Sequence, residues 1–325
     1  MKVLIKYILL ILLLFGLKST QAQQSVQFSQ YMFNGLALNP AYAGYKDSWT
    51  LNLSSRLQWN GFDGAPGTGT ASVDGLLGES KTVGLGVLAT IDKLGPQSTS
   101  SFYANYAYRM RLNADDFERL CFGIGVGVSQ YKLEGSLFSP TDPGDVSIPN
   151  VNESRSTPDV RFGVYYYSPK MYLGASVFNL LSASNVVADY THLVRQVRTL
   201  YLTGGLLIPI SPVIDLRPSI MIKEDFKGPT NIDLTGYTLF SKKIGLGASY
   251  RTGVLNWKSK LQNDLQWTDA AAAMAQFYIN DHFRIGYAFD FSLNSLGNYQ
   301  SGTHELSLSL SLPARKSRML SPRYF

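Results

Sequence analysis

Histidine, cysteine and acidic side chains build most catalytic and metal sites, and this chain of 325 residues has few of them in useful arrangements. Its three histidines, His192, His282 and His304, lie far apart, and none has another histidine three or four positions on, as a helical metal pair requires. His304 and Glu305 are adjacent and serine is abundant, so a serine hydrolase site stays open beside the simpler interpretation of a polar histidine at a strand start. The single cysteine, Cys121, excludes a disulfide framework and a cysteine-based zinc or iron–sulfur site.

Two glycine runs resemble phosphate-binding loops, one at Gly123, Gly125 and Gly127 and one at Gly245 and Gly247. They alternate inside predicted strands and do not precede a helix, so the context that a phosphate loop needs is missing. We interpret them instead as positions that leave space on the inner face of a sheet. The sequence therefore predicts no enzyme, no cofactor and no metal.

The composition narrows the class of protein. Only 16% of the residues are charged, against about 25% in an ordinary soluble protein. Aromatic residues make up 13%, with 29 glycines and 20 tyrosines, which suits strands and turns. The mean hydropathy of −0.03 is too polar for a bundle of transmembrane helices. These values favour a β-barrel membrane protein.

The N-terminus has the pattern of an export signal. Lys2 and Lys6 precede the apolar run from Ile8 to Leu17, and small residues lead to a cleavage site after Ala22. The run is shorter than the roughly 20 residues of a spanning helix, so we predict a cleaved signal peptide at residues 1–22 rather than an anchor. Its removal leaves 26 basic against 23 acidic residues, a net charge of +3, which gives no indication of nucleic-acid binding.

From Trp49 onward the chain alternates between apolar and polar residues, which places successive side chains on opposite faces of a strand. Between Glu305 and Leu312, for example, every second residue is a leucine. We predict an all-β fold, a transmembrane antiparallel β-barrel over residues 48–312. Its fourteen strands are expected at residues 48–59, 68–77, 81–92, 99–111, 118–131, 158–168, 170–179, 197–209, 213–223, 230–241, 243–252, 270–279, 282–292 and 302–312.

The connections between these strands alternate in length, which a soluble sandwich has no reason to show. The even-numbered ones include tight turns at Pro169, Ser211-Pro212, Lys242 and Asn280-Asp281. The odd-numbered ones are Asn60 to Gly67, Lys93 to Ser98, Lys132 to Thr157, Leu180 to Gln196, Glu224 to Pro229, Gly253 to Asp269 and Asn294 to Ser301. Long external loops and short periplasmic turns are typical of an outer-membrane barrel.

Charged residues of both signs fall on the face assigned to the barrel interior. They are Arg56, Arg109, Arg111, Asp215, Arg217, Asp233, Arg284, Asp290 and Glu305. Such a mixture favours an interior of paired charges over a pore of one sign. Whether the interior is open or plugged stays undecided at this level.

Four segments carry a resemblance to a known family: Gln27 to Asn34, Asn39 to Gly44, Gly302 to Leu306 and Ser321 to Phe325. Together they resemble the PorP/SprF family, outer-membrane proteins of the type IX secretion system and gliding machinery of Bacteroidota. The motif residues, which we take as candidate partner contacts, are Phe28, Ser29, Gln30, Tyr31, Asn39, Pro40, Ala41, Gly44, Pro322, Arg323, Tyr324 and Phe325.

The resemblance implies a fatty-acid-transporter-like barrel of fourteen strands without catalytic residues. It also implies a role in secretion or surface attachment of large proteins, such as gliding adhesins, through their C-terminal targeting domain. The partners implied are that cargo domain, other secretion or gliding components, and the lipid of the outer membrane.

The two flanking segments allow several interpretations. Residues 23–47, rich in aromatic residues and asparagine with Pro40 and Gly44 as breakers, form a plug in the barrel, a periplasmic strap, or a disordered stretch. The basic aromatic tail, residues 313–325, serves either barrel insertion or partner binding. In the loop Gly253 to Asp269, Trp257 and Trp267 are interface anchors or membrane-rim residues.

Three functions remain in competition. The first is a secretion component that docks cargo at its loops. The second is a channel for hydrophobic small molecules, which rests on fold analogy alone. The third is an anchor that links the outer membrane to periplasmic machinery. The resemblance favours the first.

Overall fold

The computed structural model describes residues 26–138, 152–181, 197–226, 228–254 and 268–312. Its strands are β1 (Thr50–Leu57), β2 (Gly67–Leu77), β3 (Val83–Leu94), β4 (Gln97–Arg111), β5 (Arg119–Leu133), β6 (Glu153–Tyr167), β7 (Met171–Phe178), β8 (Thr199–Leu206), β9 (Ile208–Ser211), β10 (Ile214–Glu224), β11 (Thr230–Phe240), β12 (Ile244–Val254), β13 (Thr268–Tyr278), β14 (Phe283–Ser292) and β15 (Thr303–Ser311). The helices are single turns: 3₁₀ segments at Tyr31–Phe33, Pro40–Tyr42, Gly135–Leu137 and Ser295–Asn298, and one α-helical turn at Gly35–Leu38.

The strands form one closed antiparallel sheet. Each strand pairs with the next along the chain, except that β8 pairs with β10 and not with β9, and β15 returns to pair with β1. Only Leu207 separates β8 from β9, and both lie against β10, so they make one wall strand between them. The wall therefore has fourteen strands, as the alternation predicts, and closure leaves it without a free edge between first and last strand.

The outer face of the wall is apolar and the inner face is polar. Phe102, Val126 and Leu173 point outward and remain about half exposed, whereas Asn105 and Arg161 on neighbouring inward positions are buried. An exposed apolar belt around a polar interior is the arrangement that lipid requires, because the wall satisfies its own backbone hydrogen bonds. In the described part of the chain, no helix is long and apolar enough to cross a membrane.

The two ends of the barrel differ in their connections. One end, here called the turn end, carries the links that follow β2, β4, β6, β9, β11 and β13, and the other is the loop end. The predicted external loop Lys93 to Ser98 is wrong. Strand β3 continues to Leu94 and β4 begins at Gln97, so only Gly95-Pro96 joins them. Gly95 has a φ of +56°, a conformation that glycine adopts without strain and that closes the hairpin tightly.

Strand β6 begins earlier than predicted because its hairpin with β5 projects beyond the neighbouring strand. It pairs with β5 along its whole length, but with β7 only from Phe162 onward. Within the described residues, the preceding part of β6 has no strand on that side. Pro158 lies there, and a proline removes one N–H from the exposed edge and so discourages pairing with another chain.

Candidate functional site

Residues 26–47 lie inside the barrel; we call them the inner segment. Phe28, Tyr31, Phe33 and Leu36 are each less than 5% exposed and belong to one apolar cluster with the inner wall. The segment contacts strands on opposite sides of the barrel, since its hydrogen bonds reach β2, β6, β7, β10, β14 and β15. The interior is thus filled by this stretch of the chain.

Asn39 holds the middle of the inner segment to the wall. Its side-chain oxygen accepts a hydrogen bond of 2.9 Å from the backbone N–H of Ala41, which caps the 3₁₀ turn that begins at Pro40. Its amide nitrogen donates to the carbonyls of Val164 on β6, at 2.9 Å, and Ala175 on β7, at 3.2 Å. One side chain therefore fixes both the local turn and its position against two strands.

The wall offers glycines where the inner segment approaches most closely. A Cβ at Gly123 would overlap the backbone of Ala41, and one at Gly84 would overlap the carbonyl of Ala43. A Cβ at Gly163 would overlap the side-chain oxygen of Asn39. Since no other residue type leaves this space, the wall and the segment fit each other at backbone level.

The interpretation of the two glycine runs as inner-face gaps is confirmed. Gly123 faces the inner segment, Gly125 faces Asn105, and Gly127 faces Tyr103. In the second run, Gly245 and Gly247 both face the ring of Tyr237.

Near the loop end, two carboxylates and an arginine bind the start of the inner segment. Glu305 accepts hydrogen bonds from the backbone N–H groups of Ser29, at 2.7 Å, and Gln30, at 3.0 Å. The Ser29 hydroxyl donates to Asp290 at 2.7 Å. Arg56 joins both carboxylates, with Nη2 at 2.7 Å from Asp290 and Nη1 at 3.0 Å from Glu305. We call these three wall residues the carboxylate–arginine cluster.

The cluster continues along the wall into a second ion pair. Arg251 lies 2.6 Å from Asp233 and 3.5 Å from Asp290. Strand β13 lies between Arg251 on β12 and Asp290 on β14. At this level it contributes Ala270 and Ala272, whose small side chains leave room for the guanidinium and the carboxylate to meet. Buried charges are costly unless paired, and here each carboxylate has an arginine partner.

A separate group of charges holds the other end of the inner segment at the turn end. Asp47 lies 3.0 Å from Arg109 and 3.6 Å from Lys81. Arg109 also donates to the hydroxyl of Tyr167 at 2.6 Å. The inner segment is therefore anchored by charges at both of its ends, with apolar packing between them.

Tyrosines surround the part of the inner segment that lies towards the turn end. The rings of Tyr42 and Tyr45 pack against Tyr165 at centroid distances of 5.6 and 5.7 Å. The hydroxyl groups of Tyr31 and Ser219 on β10 share a hydrogen bond of 2.8 Å.

The predicted interior charges are found on the inner wall with two exceptions. Arg56, Arg109, Arg217, Asp233, Arg284, Asp290 and Glu305 are buried. Arg111, at the last position of β4, is instead half exposed and pairs with Asp116 in the following turn. Asp215 is only half-buried, because it lies at the second position of β10, next to the turn end.

Several interior charges were missed by the sequence interpretation. They are Asp74, Arg119, Asp159, Arg161, Lys223 and Arg251. Arg251 had a usable signal, since it shares its face with Gly245 and Gly247, which were already assigned to the interior.

The alternative of a serine hydrolase site at His304 and Glu305 is wrong. Adjacent residues of a strand face opposite sides, and Glu305 is buried in the interior. His304 lies on the outer face, where its Nδ1 is 2.7 Å from the hydroxyl of Tyr287. Among the described residues, no group of three or more histidine, cysteine or acidic side chains is placed to hold a metal ion.

The N-terminal motif residues face the wall. Phe28, Ser29, Gln30, Tyr31, Asn39, Pro40, Ala41 and Gly44 are all buried. Gly44, for example, donates its N–H to Asp74 at 2.9 Å. The remaining candidate contacts lie outside the described residues: Trp257, Trp267, Pro322, Arg323, Tyr324 and Phe325.

A closed fourteen-stranded wall with an apolar exterior and a polar, filled interior defines an outer-membrane β-barrel. A family model described as type IX secretion system membrane protein PorP/SprF matches residues 20–310, and the chain belongs to this family. No curated protein sequence matches it.

Several solved structures are similar to this chain, and the similarity to CymD supports the fold. CymD, described as a monoaromatic hydrocarbon channel, superposes with a TM-score of 0.53 at 9% identity, over 87% of this chain and 94% of that one. Omp33 of Acinetobacter baumannii has a TM-score of 0.45 at 9% identity, over 83% of this chain and all of that one. A FadL homologue of Pseudomonas aeruginosa has 0.42 at 10%, over 84% and 91%.

Proposed function

We propose that this barrel is a non-enzymatic component of the type IX secretion system that docks the C-terminal targeting domain of cargo proteins at its loop end. Family membership supports a place in the secretion system. The observation that carries the proposal is the burial of the inner segment, which occupies the space that a translocated chain or a diffusing solute would need. The loop end is then the surface available to a partner outside the cell.

Hydrogen bonds between loops make part of this surface rigid. Asn60 donates to the carbonyl of Gly302 and accepts from the N–H of Ser301, both at 2.8 Å, which joins the first and last loops. Within two residues of this bridge, Phe62 and Tyr299 are 50% and 72% exposed. Exposed aromatic rings on a fixed backbone are good anchors for a protein partner, because the backbone loses little conformational freedom on binding.

Two further loops supply candidate contacts through their sequence. The connection 255–267 contains Trp257 and Trp267, and the connection 134–152 contains Phe138 and three prolines. Because proline restricts the backbone, the longer loop loses less conformational freedom on binding than a loop without proline. The tail motif from Pro322 to Phe325 is proposed as a contact for periplasmic components, since β15 ends at the turn end.

The test is affinity purification from detergent-solubilised outer membranes, with a tag inserted in the connection 182–196. We expect a large surface protein to co-purify through its C-terminal domain. The double variant Trp257→Ala and Trp267→Ala should lose this protein. Trp49→Ala, which removes a partly exposed tryptophan at the turn end, is the matched control and should retain it.

Other recoveries would contradict cargo docking. Periplasmic machinery without cargo, lost when residues 321–325 are deleted, would favour the anchor. A hydrophobic small molecule bound in the absence of protein partners would favour the channel. The charged inner wall and the filled interior argue against that channel, and the name of CymD describes CymD alone.

A further inference from the structure

We propose that the outer face of the barrel carries a binding site for lipid-borne phosphate, formed by Lys93 on β3 and Lys132 on β5 together with the serine between them. The partner is a phosphorylated glycolipid of the outer leaflet. This site is separate from the loop surface proposed for cargo, and it does not depend on that proposal.

The strand register places these residues in one row. Ser98 on β4 pairs with Lys93 on one side and with Lys132 on the other, and Lys132 pairs in turn with Ser154 on β6. Neighbouring strands lie about 4.8 Å apart, so the two lysine backbones are roughly 10 Å apart with a hydroxyl between them. Two ammonium groups on flexible stems at this separation can meet on one phosphate or bind two adjacent ones.

The row faces lipid rather than the interior. Along β3, Lys93 alternates onto the same face as Val87 and Ile91, which are 43% and 60% exposed. Along β5, Lys132 shares its face with Val126 and Val128, which are also exposed. The hydrogen bond from Gln130 to the hydroxyl of Ser154, at 3.3 Å, places both of these side chains on that outer face.

The row also lies at the height of the lipid headgroups. Two residues further from the loop end along each strand, the outward residues are Ile91, Ser100 and Gln130. Two residues further again, they include Phe102 and Val128. The composition thus changes from apolar to polar over four residues, about 14 Å along the strands, at the loop end of the hairpin. A lysine that faces the hydrocarbon core destabilises a barrel, whereas a lysine at the membrane–water interface does not. The ammonium groups of Lys93 and Lys132 therefore belong at that interface.

The tight turn Gly95-Pro96 keeps this position accessible to lipid. A long loop here would rise over the row, but the wall between β3 and β4 ends two residues above Lys93. The neighbouring hairpin is tied to this turn by the hydrogen bond from the N–H of Glu134 to the carbonyl of Pro96, at 2.9 Å. Lys93, Ser98 and Lys132 are therefore held on one rigid stretch of wall.

The test is the binding of lipid A to the purified full barrel in detergent, measured by native mass spectrometry at increasing lipid concentration. Each cation near an anionic membrane surface contributes about a fivefold gain in affinity. We therefore expect the double variant Lys93→Ala and Lys132→Ala to bind lipid A roughly thirty-fold more weakly than the wild type. The double variant Lys93→Arg and Lys132→Arg should retain binding.

Two controls separate this site from general attraction to anions. The variant Lys170→Ala and Lys243→Ala removes two exposed lysines at the turn end and should bind as the wild type does. Lipid A with both phosphates removed should bind the wild type and the alanine double variant with the same affinity. The proposal is overturned if the wild type binds the dephosphorylated lipid equally well, or if the Lys93 and Lys132 double variant, folded by its gel mobility, binds lipid A with unchanged affinity.

Discussion

Glu305 is the residue whose removal tests most directly how the inner segment is held. Its carboxylate is 1% exposed and receives two backbone N–H groups, from Ser29 and Gln30, as well as the guanidinium of Arg56. Within the described contacts, Glu305 is the residue of the carboxylate–arginine cluster that accepts both of these N–H groups. Substitution by alanine leaves two buried donors without an acceptor and leaves Arg56 with Asp290 as its carboxylate partner.

The expected loss follows from the burial of this contact. Breaking a buried ion pair by removal of one partner costs about 3–5 kcal/mol, because the remaining groups stay desolvated. If the loss falls on docking of the inner segment, the undocked population rises roughly 150- to 5,000-fold. Glu305→Gln keeps one oxygen acceptor and places an NH₂ group against the other donor, so we expect about half of that loss.

Two measurements follow this change in the purified barrel. Urea unfolding in detergent, followed by tryptophan fluorescence, should give a lower midpoint for Glu305→Ala than for the wild type. Current recording in planar bilayers should show new openings as the inner segment leaves its place. Ser309→Ala, on the same strand and the same buried face, is the control and should change neither. The reasoning is refuted if Glu305→Ala matches Ser309→Ala in both measurements.

Three further substitutions probe the middle of the inner segment and its end at the turn end. The measurement in each case is the midpoint of unfolding in urea. Gly123→Val should destabilise the barrel by about 1–3 kcal/mol, because its side chain would overlap the backbone of Ala41. Gly236→Val, whose Cβ would have open space around it, should leave the midpoint unchanged. Asn39→Ala should cost about 2–3 kcal/mol, since three hydrogen bonds are lost; Asn52→Ala on β1 is the comparison, and equal losses would contradict this role for Asn39. Tyr167→Phe should cost about 1–2 kcal/mol through its bond to Arg109, against no change for the exposed Tyr299→Phe, and an unchanged midpoint would exclude that bond as an anchor.

The wall could be predicted from the sequence because its physical signal is local. A strand in lipid must alternate, and residues such as Leu306, Leu308 and Leu310 show this without knowledge of their neighbours. The predicted loop at Lys93 to Ser98 is wrong because strand pairing is not a local signal. Lys93 pairs with Ser98 and Leu94 with Gln97, which leaves only the tight Gly95-Pro96 turn between the strands.

The interior could be predicted only in part, because it depends on register and on contacts across the barrel. Alternation assigns Arg56, Asp290 and Glu305 to the inner face, but it does not say that they meet at one level. That follows from the pairing of Arg56 with Glu305 on adjacent strands. The fate of the inner segment was still less accessible, since a short stretch with three single helical turns has no periodicity from which its place can be deduced.

The way in which the inner segment binds the cluster explains why charges suit this site better than apolar residues. A buried ion pair that contacts only itself can often be replaced by apolar side chains without loss of stability. Here Glu305 also accepts the backbone N–H groups of Ser29 and Gln30, and no apolar side chain can accept a hydrogen bond. Arg56 in turn neutralises the carboxylate that performs this task. An apolar residue in place of Glu305 would therefore leave these two N–H groups without an acceptor, which is the physical reason for a carboxylate at this position.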